Sequence, residues 1–308
     1  MKAIRIHSFG GSDVLSLEDV PAPRPGDDEV LIKVQAASVN PVDYKMRSGK
    51  FRPDELHPPL TLGRDVAGIV AEVGRRVQGI RPGDRVYAML GRHSGGYAEF
   101  ALAKAEETAA KPATLDPAHA AAVPLAAITA WQGLFDHGRL GPGERVLILG
   151  AGGGVGLFAI QFARVRGAEV VATGRAEDLD LLRRLGASSA FEDETGDLKS
   201  RVNEVDLVLD LVGGKVQREA LDLLKRGGRL ISTLESPPPD EAARREIRAG
   251  RFMAEPRHDQ LAEIGRLIDE GKVRVVLDQT LPLSEAKRAH DHMENEHVQG
   301  KVVLTVAE

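Results

Sequence analysis

The sequence of 308 residues predicts an α/β protein with a β-rich domain followed by a doubly wound parallel sheet. Short strand-like segments separated by glycine and proline turns run to about residue 115, as is typical of a barrel-type β domain. From Arg145 to Gly271, apolar strands alternate with helical segments. A glycine-rich turn joins the first of these strands to its helix, which is the start of a βαβ unit.

In the β-rich part, strands are predicted where apolar residues alternate or cluster between turn residues. The predicted strands are Lys2–Ile6, Glu29–Val34, Val66–Gly74 and one that begins at Arg85, after the turn at 82–84. Near Asp116 the pattern changes to alanine-rich helix, predicted over 117–123 and 128–135.

The later elements follow the same reasoning. Buried strands are predicted at 146–149, 170–172, 205–211 and 229–233, and a final strand at 301–306. Between them we expect a proline loop at 236–240, a charged helix at 241–248, an amphipathic helix at 261–270, a strand at 273–277 and a helix at 284–295.

The glycine-rich turn reads Gly150-Ala151-Gly152-Gly153-Gly154-Val155-Gly156. The strict G-x-G-x-x-G spacing is not met, and the spacing that fits is Gly150, Gly153 and Gly156. Such glycines let the backbone approach a pyrophosphate at the positive end of a helix. The turn predicts a dinucleotide site, and the alternative is a merely tight connection between strand and helix.

Composition excludes several classes of function. A net charge of -5 does not favour nucleic-acid binding, and the absence of cysteine excludes disulfides and thiolate metal sites. The first residues lack the apolar core of a signal peptide, and no apolar run approaches the ~20 residues of a membrane span. We therefore expect a cytoplasmic enzyme that has no membrane partner.

Several motifs in order resemble the zinc-independent branch of the medium-chain dehydrogenase/reductase superfamily, the quinone oxidoreductases related to zeta-crystallin. They are Ser38–Asp43, Leu62–Gly68, Gly95–Glu99, Gly150–Gly156, Asp206–Gly214 and Gly300–Leu304. The resemblance implies a GroES-like catalytic domain at 1–116, completed by 274–308, and a Rossmann NADP-binding domain at 117–273. It also implies an active site in the cleft between them, where ligands commonly bind.

The resemblance predicts that no metal is bound. Zinc-dependent members carry a cysteine where Asn40 falls and a histidine where Arg64 falls. An amide is a poor zinc ligand, and a cation repels the metal. The best histidine cluster, His290, His292 and His297, lies on a polar helix and its flank, where we expect solvated side chains.

We expect NADPH as the cofactor. NAD sites carry an acid at the end of the second strand for the ribose 2′-hydroxyl, but this strand ends Thr173-Gly174-Arg175. An arginine fork suits a 2′-phosphate, and the alternative is an exposed helix-capping arginine.

Without a metal the substrate must itself be electrophilic, such as a quinone or an enone or enal. Asn40 is the leading site residue by resemblance, although it can also be read as a turn residue before Pro41. Asp43 is expected to orient its neighbours, and Tyr44 is a candidate donor that could equally be core. Family members carry a tyrosine where Phe51 falls here, and a phenyl ring cannot donate a proton.

The other expected cofactor contacts are the glycine turn and residues placed by resemblance. Thr129 has the alternative of bonding its own helix backbone. Val212, Phe252 and Met253 should flank the nicotinamide, with ordinary apolar packing as the alternative, and Lys301 could reach the cofactor or be an exposed strand residue. The full set is Asn40, Thr129, Gly150, Gly153, Gly154, Val155, Gly156, Thr173, Gly174, Arg175, Val212, Phe252, Met253 and Lys301.

The expected activity is that of an NADPH:quinone oxidoreductase or alkenal/enone reductase. Two alternatives stay open: an enoyl reductase for acyl thioesters, docked by Arg244, Arg245, Arg248 and Arg251 on the charged helix, and a non-catalytic NADPH-binding protein. The resemblance implies a homodimer. Two subunits would pair the same edge of the parallel sheet, and the strands at 211–214 and 230–233 are expected inside or near that edge. The residues after Leu234 are expected to form the edge itself, unless the prolines at 237–239 protect it and keep the protein monomeric.

Overall fold

The computed structural model describes residues 1–52, 56–193 and 198–306. The chain forms two compact units. The first unit contains Met1–Leu125, Pro256–Gly271 and Val275–Glu308, and the second contains Ala126–Glu255 and Lys272–Arg274.

The first unit is built on sheets in which all described strand pairs are antiparallel except the last one along the chain, Leu277–Pro282 with Lys301–Thr305, which is parallel. One sheet has the order β2-β1-β4, and the other has the order β15-β16-β3-β5-β6-β8, with β7 also paired to β3. The strands are β1 (Lys2–Ile6), β2 (Ser16–Asp19), β3 (Glu29–Val39), β4 (Leu60–Thr61), β5 (Asp65–Val73), β6 (Arg85–Met89), β7 (Phe100–Lys104), β8 (Thr108–Ala110), β15 (Leu277–Pro282) and β16 (Lys301–Thr305).

Helices of the first unit flank these sheets and enclose one apolar core. The helices are α1 (Pro41–Arg47), α2 (Pro117–Ala121), α9 (His258–Asp269) and α10 (Ala286–Asn295). The core includes Ile32, Val66 and Tyr97, and Leu304 joins it from the last strand. The final strand therefore belongs to the interior of the same unit as the first strand.

The second unit is a parallel sheet in the order β11-β10-β9-β12-β13-β14. Its strands are β9 (Arg145–Leu149), β10 (Glu169–Gly174), β11 (Ser189–Glu192), β12 (Val205–Asp210), β13 (Leu224–Ser232) and β14 (Arg248–Arg251). Its helices are α3 (Pro124–Trp131), α4 (Gly154–Val165), α5 (Leu179–Leu185), α6 (Leu198–Arg201), α7 (Gly214–Leu221) and α8 (Pro239–Arg244). A π-helical segment, Gln132–His137, continues α3.

The strand predicted at 273–277 is wrong, because regular pairing begins only at Leu277. The backbone of Arg274 is instead held by the side chain of Gln161. Its N–H donates to Oε1 at 2.7 Å, and its carbonyl accepts from Nε2 at 3.0 Å. Because a side chain takes both backbone groups, this apolar stretch does not need a strand partner.

The helix predicted at 241–248 is also wrong at its end. It stops at Arg244, and Glu246 adopts a positive φ of 53°, after which β14 forms the edge of the parallel sheet. The edge therefore lies beyond the proline loop, and β12 lies inside the sheet between β9 and β13. Of the described helices, none is long and apolar enough to cross a bilayer.

Candidate functional site

The first group of site residues is assembled by strand register in the first unit. β3 pairs with β5 so that Ser38 faces Asp65, and β16 pairs with β3 so that Val302 faces Val39. Lys301 is next to Val302 on β16, and Asn40 directly follows Val39 at the end of β3. Three sequence-distant segments therefore bring a lysine, an asparagine and an aspartate to one end of the sheet.

Asn40 lies where β3 ends and α1 begins. Pro41 at the first helical position has a fixed φ that favours helix initiation. The carboxylate of Asp43 accepts a 2.8 Å hydrogen bond from the backbone N–H of Asn40, which satisfies one free donor of the helix start. The side chain of Asn40 is thereby left for other contacts.

That side chain bridges a buried acid and a buried base. Nδ2 of Asn40 donates to Oδ2 of Asp65 at 2.8 Å, and Oδ1 of Asn40 accepts from Nζ of Lys301. Lys301 also donates to the carbonyl oxygen of Val39 at 3.1 Å, and it is only 5% exposed. The reading of Lys301 as an exposed strand residue is therefore wrong.

Asp65 is fully buried and well satisfied. Its carboxylate accepts from Oγ of Ser38 at 2.7 Å and from the backbone N–H of Leu125 at 2.8 Å, in addition to the amide of Asn40. Burial raises the pKa of Asp65, and burial lowers the pKa of Lys301, while the opposite charge of each partner opposes the shift.

A second buried chain of hydrogen bonds starts on α1, passes through α10 and Tyr97, and returns to α1. Nη1 of Arg47 lies 3.2 Å from Nδ1 of His290, Nε2 of His290 lies 3.3 Å from the hydroxyl of Tyr97, and that hydroxyl donates to Oδ2 of Asp43 at 3.1 Å. A guanidinium can only donate, so Nδ1 must accept and the proton of a neutral His290 resides on Nε2. Every bond in the chain therefore points toward Asp43.

Burial controls the protonation of this chain. It raises the pKa of Asp43 to about 6, against the hydrogen bond from the backbone of Asn40. It lowers the pKa of His290 to about 3, and the nearby charge of Arg47 acts in the same direction. The expectation that His290 is a solvated side chain is wrong, because it is fully buried.

His292, from the same histidine cluster, has different partners from His290. His292 lies between the carboxylates of Asp278 and Glu296, at 2.6 and 2.9 Å, and these contacts raise its pKa. Within residues 1–52, 56–193 and 198–306, no group of three or more His, Asp or Glu side chains is arranged to hold a metal ion.

The donors at the Asn40 position also do not fit zinc. Asn40 and Asp65 are both engaged by the ammonium group of Lys301, and the charge of Arg64 acts on Asp43 and Asp65 from nearby. The ammonium group already occupies the oxygen of the amide, and the two cations beside Asn40, Asp43 and Asp65 disfavour a divalent metal.

The dinucleotide site predicted in the second unit lies at the carboxyl ends of β9 and β12. The chain runs from β9 outward to β10 and β11 on one side, and from β12 to β13 and β14 on the other. This change of direction marks the crevice where open α/β sheets bind ligands. Gly150 has a positive φ of 71°, and its N–H lies 3.3 Å from Oγ1 of Thr173, so the turn is fixed to the end of β10.

The glycines of the turn serve different purposes. A Cβ on Gly156 would lie 2.4 Å from Cα of Ala151, and one on Gly152 would lie 2.1 Å from Oδ2 of Asp178. These two glycines are thus required by packing within the protein. A Cβ on Gly153 would meet nothing within 4 Å, so the fold itself does not require glycine there.

The start of α4 supports the prediction that a pyrophosphate binds at the positive end of a helix. Gly153 is the N-cap of α4, and Gly154 and Val155 are its first residues. Their backbone N–H groups begin the helix, where a phosphate is stabilised by free donors and the helix dipole. The open space at Gly153 fits the close approach of a pyrophosphate.

Arg175 lies one residue beyond Gly174, at the end of β10, and its side chain is exposed. Its backbone N–H donates to Oδ2 of Asp178 at 3.1 Å, which fixes the backbone while the guanidinium extends outward. Asp178 is buried against Gly152 and Gly174. The described side chains therefore leave Arg175 available for a phosphate.

The other predicted cofactor residues are in different environments within the second unit. Val212 is 41% exposed beside Gly150, and Met253 is 44% exposed. Phe252 is buried, with its ring 4.6 Å from that of His137, so packing already accounts for it. Thr129 is buried in α3.

In the first unit, Tyr44 is half-buried, which raises its pKa, and Phe51 packs on the apolar core. Tyr97, His290 and Asp65 were not predicted as site residues. The motifs Gly95–Glu99 and Leu62–Gly68 contain two of them, but their side-chain roles depend on contacts over long sequence separations.

The predicted arginine patch is wrong as a helical feature. Arg244 ends α8 and Arg245 follows it, with ion pairs to Asp240 and Asp222 respectively. Arg248 and Arg251 lie instead on the edge strand β14.

Comparisons with known proteins cover both units. Residues 26–113 match the family model described as the alcohol dehydrogenase GroES-like domain, and residues 185–304 match that described as zinc-binding dehydrogenase. A quinone oxidoreductase of Rattus norvegicus is 36% identical, over 99% of this chain and 97% of that protein. An NADPH-dependent alkenal/one oxidoreductase of Arabidopsis thaliana, named as chloroplastic, is 35% identical, over 99% of this chain and 79% of that protein.

Solved structures agree with these relatives. The quinone oxidoreductase of Coxiella burnetii has a TM-score of 0.92 and 35% identity, covering 100% of this chain and 99% of that one. The quinone oxidoreductase of Escherichia coli, solved in complex with NADPH, has a TM-score of 0.89 and 28% identity, covering 99% of this chain and 100% of that one.

Proposed function

Because the chain belongs to the zinc-independent quinone oxidoreductases of the medium-chain dehydrogenase/reductase superfamily, we propose that it is an NADPH-dependent oxidoreductase whose substrate is a quinone or an α,β-unsaturated ketone or aldehyde. In this assignment residues 1–116 with 274–308 form the GroES-like catalytic domain, and residues 117–273 form the Rossmann NADP-binding domain. The proposed boundaries differ from the two compact units in that α2 and α9, which fall within 117–273, cluster with the first unit. NADPH supplies a hydride when it is bound.

One observation carries the proposal most directly. The turn before α4 is open at Gly153, where a Cβ would contact no other atom, so packing within the protein does not require glycine at this position. A pyrophosphate supplies the reason for the glycine, because its oxygens must approach the backbone closely. The exposed guanidinium of Arg175 supports a 2′-phosphate at the end of β10.

The substrate class follows from the lack of a fit for zinc. With Lys301 bonded to Asn40, no Lewis acid is available from that position to polarise an unactivated carbonyl. The substrate must therefore be electrophilic by itself, as quinones and enones are. In the proposed site Asn40 is held by Asp65 and Lys301, and Asp43 and Tyr44 are carried on the helix that begins beside it.

We also propose a homodimer joined through β14. This strand is the end of the parallel sheet, and one side of an edge strand has unpaired backbone groups. A twofold axis would pair two such edges. A cytoplasmic location stays a prediction of the sequence.

The experiment that tests the activity is NADPH oxidation, followed by its absorbance, with a quinone, a 2-alkenal and an enoyl-CoA as separate acceptors. Rapid oxidation with the quinone or alkenal, unchanged by exhaustive chelation, is the expected result. Faster oxidation with enoyl-CoA would identify an acyl-thioester reductase instead. NADPH binding without oxidation by any acceptor would indicate a non-catalytic protein, and loss of activity on chelation would contradict the metal-independent assignment.

A further inference from the structure

The guanidinium of Arg64 is a cation close enough to Asp43 and Asp65 to act on their charges, but it has no hydrogen-bond or ion-pair partner among the described residues. Arg64 lies directly before β5, and its backbone carbonyl oxygen accepts a hydrogen bond from the backbone N–H of Leu90 at 2.7 Å. Its Nε is buried, and its guanidinium forms no hydrogen bond or ion pair with the residues that the structure describes. The residue as a whole is partly exposed, so it can be reached from solvent.

A second unsatisfied atom belongs to Asp43. Its Oδ1 is buried and has no hydrogen-bond partner in the described part of the chain, whereas Oδ2 receives the bonds from Asn40 and Tyr97. Asp43 and Arg64 each act on the charge of the other. Buried donors and acceptors are rarely left unpaired, so two such atoms in one region mark a place that a polar group enters.

The charges around Arg64 are of both signs. Asp43, Asp65 and Glu107 favour its charged form, while burial and the neighbouring Arg92 lower its pKa. These contacts give little support to the idea that Arg64 serves only as a counterion of Asp43 or Asp65. Asp65 already has three hydrogen-bond donors and the ammonium of Lys301, and Asp43 has a raised pKa despite the presence of Arg64.

We propose that Arg64 binds the carbonyl oxygen of the substrate and stabilises the negative charge that develops on it during reduction. This inference rests on the proposed function. When the hydride that bound NADPH would supply adds to the β-carbon of an enone, the C=C π pair moves toward the carbonyl and leaves an enolate, and the cofactor would be left as NADP⁺. A proton from water then gives the saturated ketone. For a quinone, addition of the hydride to one carbonyl oxygen leaves a hydroquinone monoanion with the charge on the other oxygen, which then takes a proton from water.

An arginine suits this task because it stays charged when partly buried and directs several donors into one plane. A charge aimed at the place where an oxyanion forms acts more strongly in the reduced state than on the neutral substrate. The expected effect of Arg64 is therefore on kcat rather than on KM.

The test compares Arg64→Ala and Arg64→Gln with Arg92→Ala, an exposed neighbouring cation, as the control. We expect kcat for an alkenal to fall about 100-fold or more in both Arg64 variants, the loss typical of one oxyanion donor. NADPH affinity and KM should stay within about threefold of wild type, because the contact of Arg64 with the neutral carbonyl oxygen is weak compared with its contact with the oxyanion. Added guanidinium ion should restore at least about tenfold of kcat in Arg64→Ala, since it can occupy the space that is left.

Each result is decisive. A kcat within about threefold of wild type in a folded Arg64 variant would overturn the inference, as would a loss that guanidinium does not restore in protein that still binds NADPH. If Arg64→Ala does not fold, Arg64→Gln provides the kcat comparison. Activity of wild type and Arg92→Ala shows that the proposed function stands even when the Arg64 inference fails. An inactive wild type would overturn both.

Discussion

The amide nitrogen of Asn40 lies 2.8 Å from a carboxylate oxygen of Asp65. This contact joins the end of β3 to the start of β5. The amide oxygen of Asn40 is used at the same time by Lys301 from β16. The residue that resemblance singled out is thus a bridge between a buried anion and a buried cation.

Replacement of Asn40 by alanine should destabilise the protein. The change removes both bridging contacts, one to each of two buried charged groups, so we expect a loss of about 1.5–3 kcal/mol in the free energy of unfolding. Urea denaturation measures it. Asn295→Ala, on the exposed face of α10, is the matched control and should change stability by less than about 0.5 kcal/mol. Equal losses in the two variants would contradict the bridging role.

Asp43→Asn should change how stability depends on pH. The pKa of Asp43 rises from 3.8 to about 6 on folding, so the folded state binds this proton more tightly than the unfolded state. Asp43 therefore reduces the stability of wild type as pH rises from about 4 to 6, by up to about 3 kcal/mol. Asparagine removes this loss.

The measurement for Asp43 is the difference in unfolding free energy between wild type and Asp43→Asn across that pH range. Asp65, Tyr97, Arg64 and Lys301 face the carboxyl group and stay the same in both proteins. The low pKa of His290 has the opposite effect, because stability falls when His290 must be charged at low pH, and this effect cancels in the difference. A pH-independent difference would show that Asp43 has an ordinary pKa.

The glycine turn gives a matched pair of substitutions. Gly156→Ala should destabilise the fold by about 1–3 kcal/mol or more, because its Cβ would overlap the backbone of Ala151. Gly153→Ala has open space and a φ of -78°, so thermal stability should be nearly unchanged. NADPH affinity measured by fluorescence titration should fall at least about tenfold in Gly153→Ala. Unchanged affinity would remove the argument for a pyrophosphate at this position.

Arg175→Ala should separate the two nicotinamide cofactors. Loss of a charge-assisted contact to the 2′-phosphate should weaken NADPH binding by about 1–3 kcal/mol and leave NADH binding little changed. Arg184→Ala, another exposed arginine nearby on α5, is the control. Equal losses for NADPH and NADH would contradict the assignment of Arg175.

The assembly prediction is a dimer at micromolar concentration. Pairing of two β14 edges would satisfy the free backbone groups of both strands. Light scattering should therefore give about twice the chain mass of 33.1 kDa. A single species near 33.1 kDa would show that the edge stays unpaired.

Sequence patterns predicted the fold wherever apolar periodicity reports burial directly. The first strand and the parallel-sheet strands near 145 and 205 agree closely with the structure. The errors arise where a local feature changes the backbone. Gln161 takes the backbone bonds of Arg274, and the positive φ of Glu246 ends α8 early. Neither contact has a periodic signal.

The candidate site was predicted only in part. Asn40 and the glycine turn belong to contiguous motifs, which a sequence displays directly. Tyr97 and His290 are 193 residues apart, and their contact depends on the packing of α10 in the first unit. The helix that contains His290 is polar, so its pattern predicts exposure, although hydrogen bonds to Arg47 and Tyr97 make burial of this residue favourable.

The pairing of β3 with β16 also determines when the first unit can complete its fold during synthesis. Residues 36–39 find their neighbours at 302–305, which are synthesised much later. Domains tend to fold as they leave the ribosome, at about 5–20 residues per second. The second unit therefore has all its residues before the first unit does. Until Lys301 emerges, residues 36–39 of the nascent chain have no strand partner on the side that β16 will occupy, and Asp65 lacks the ammonium group that accompanies it.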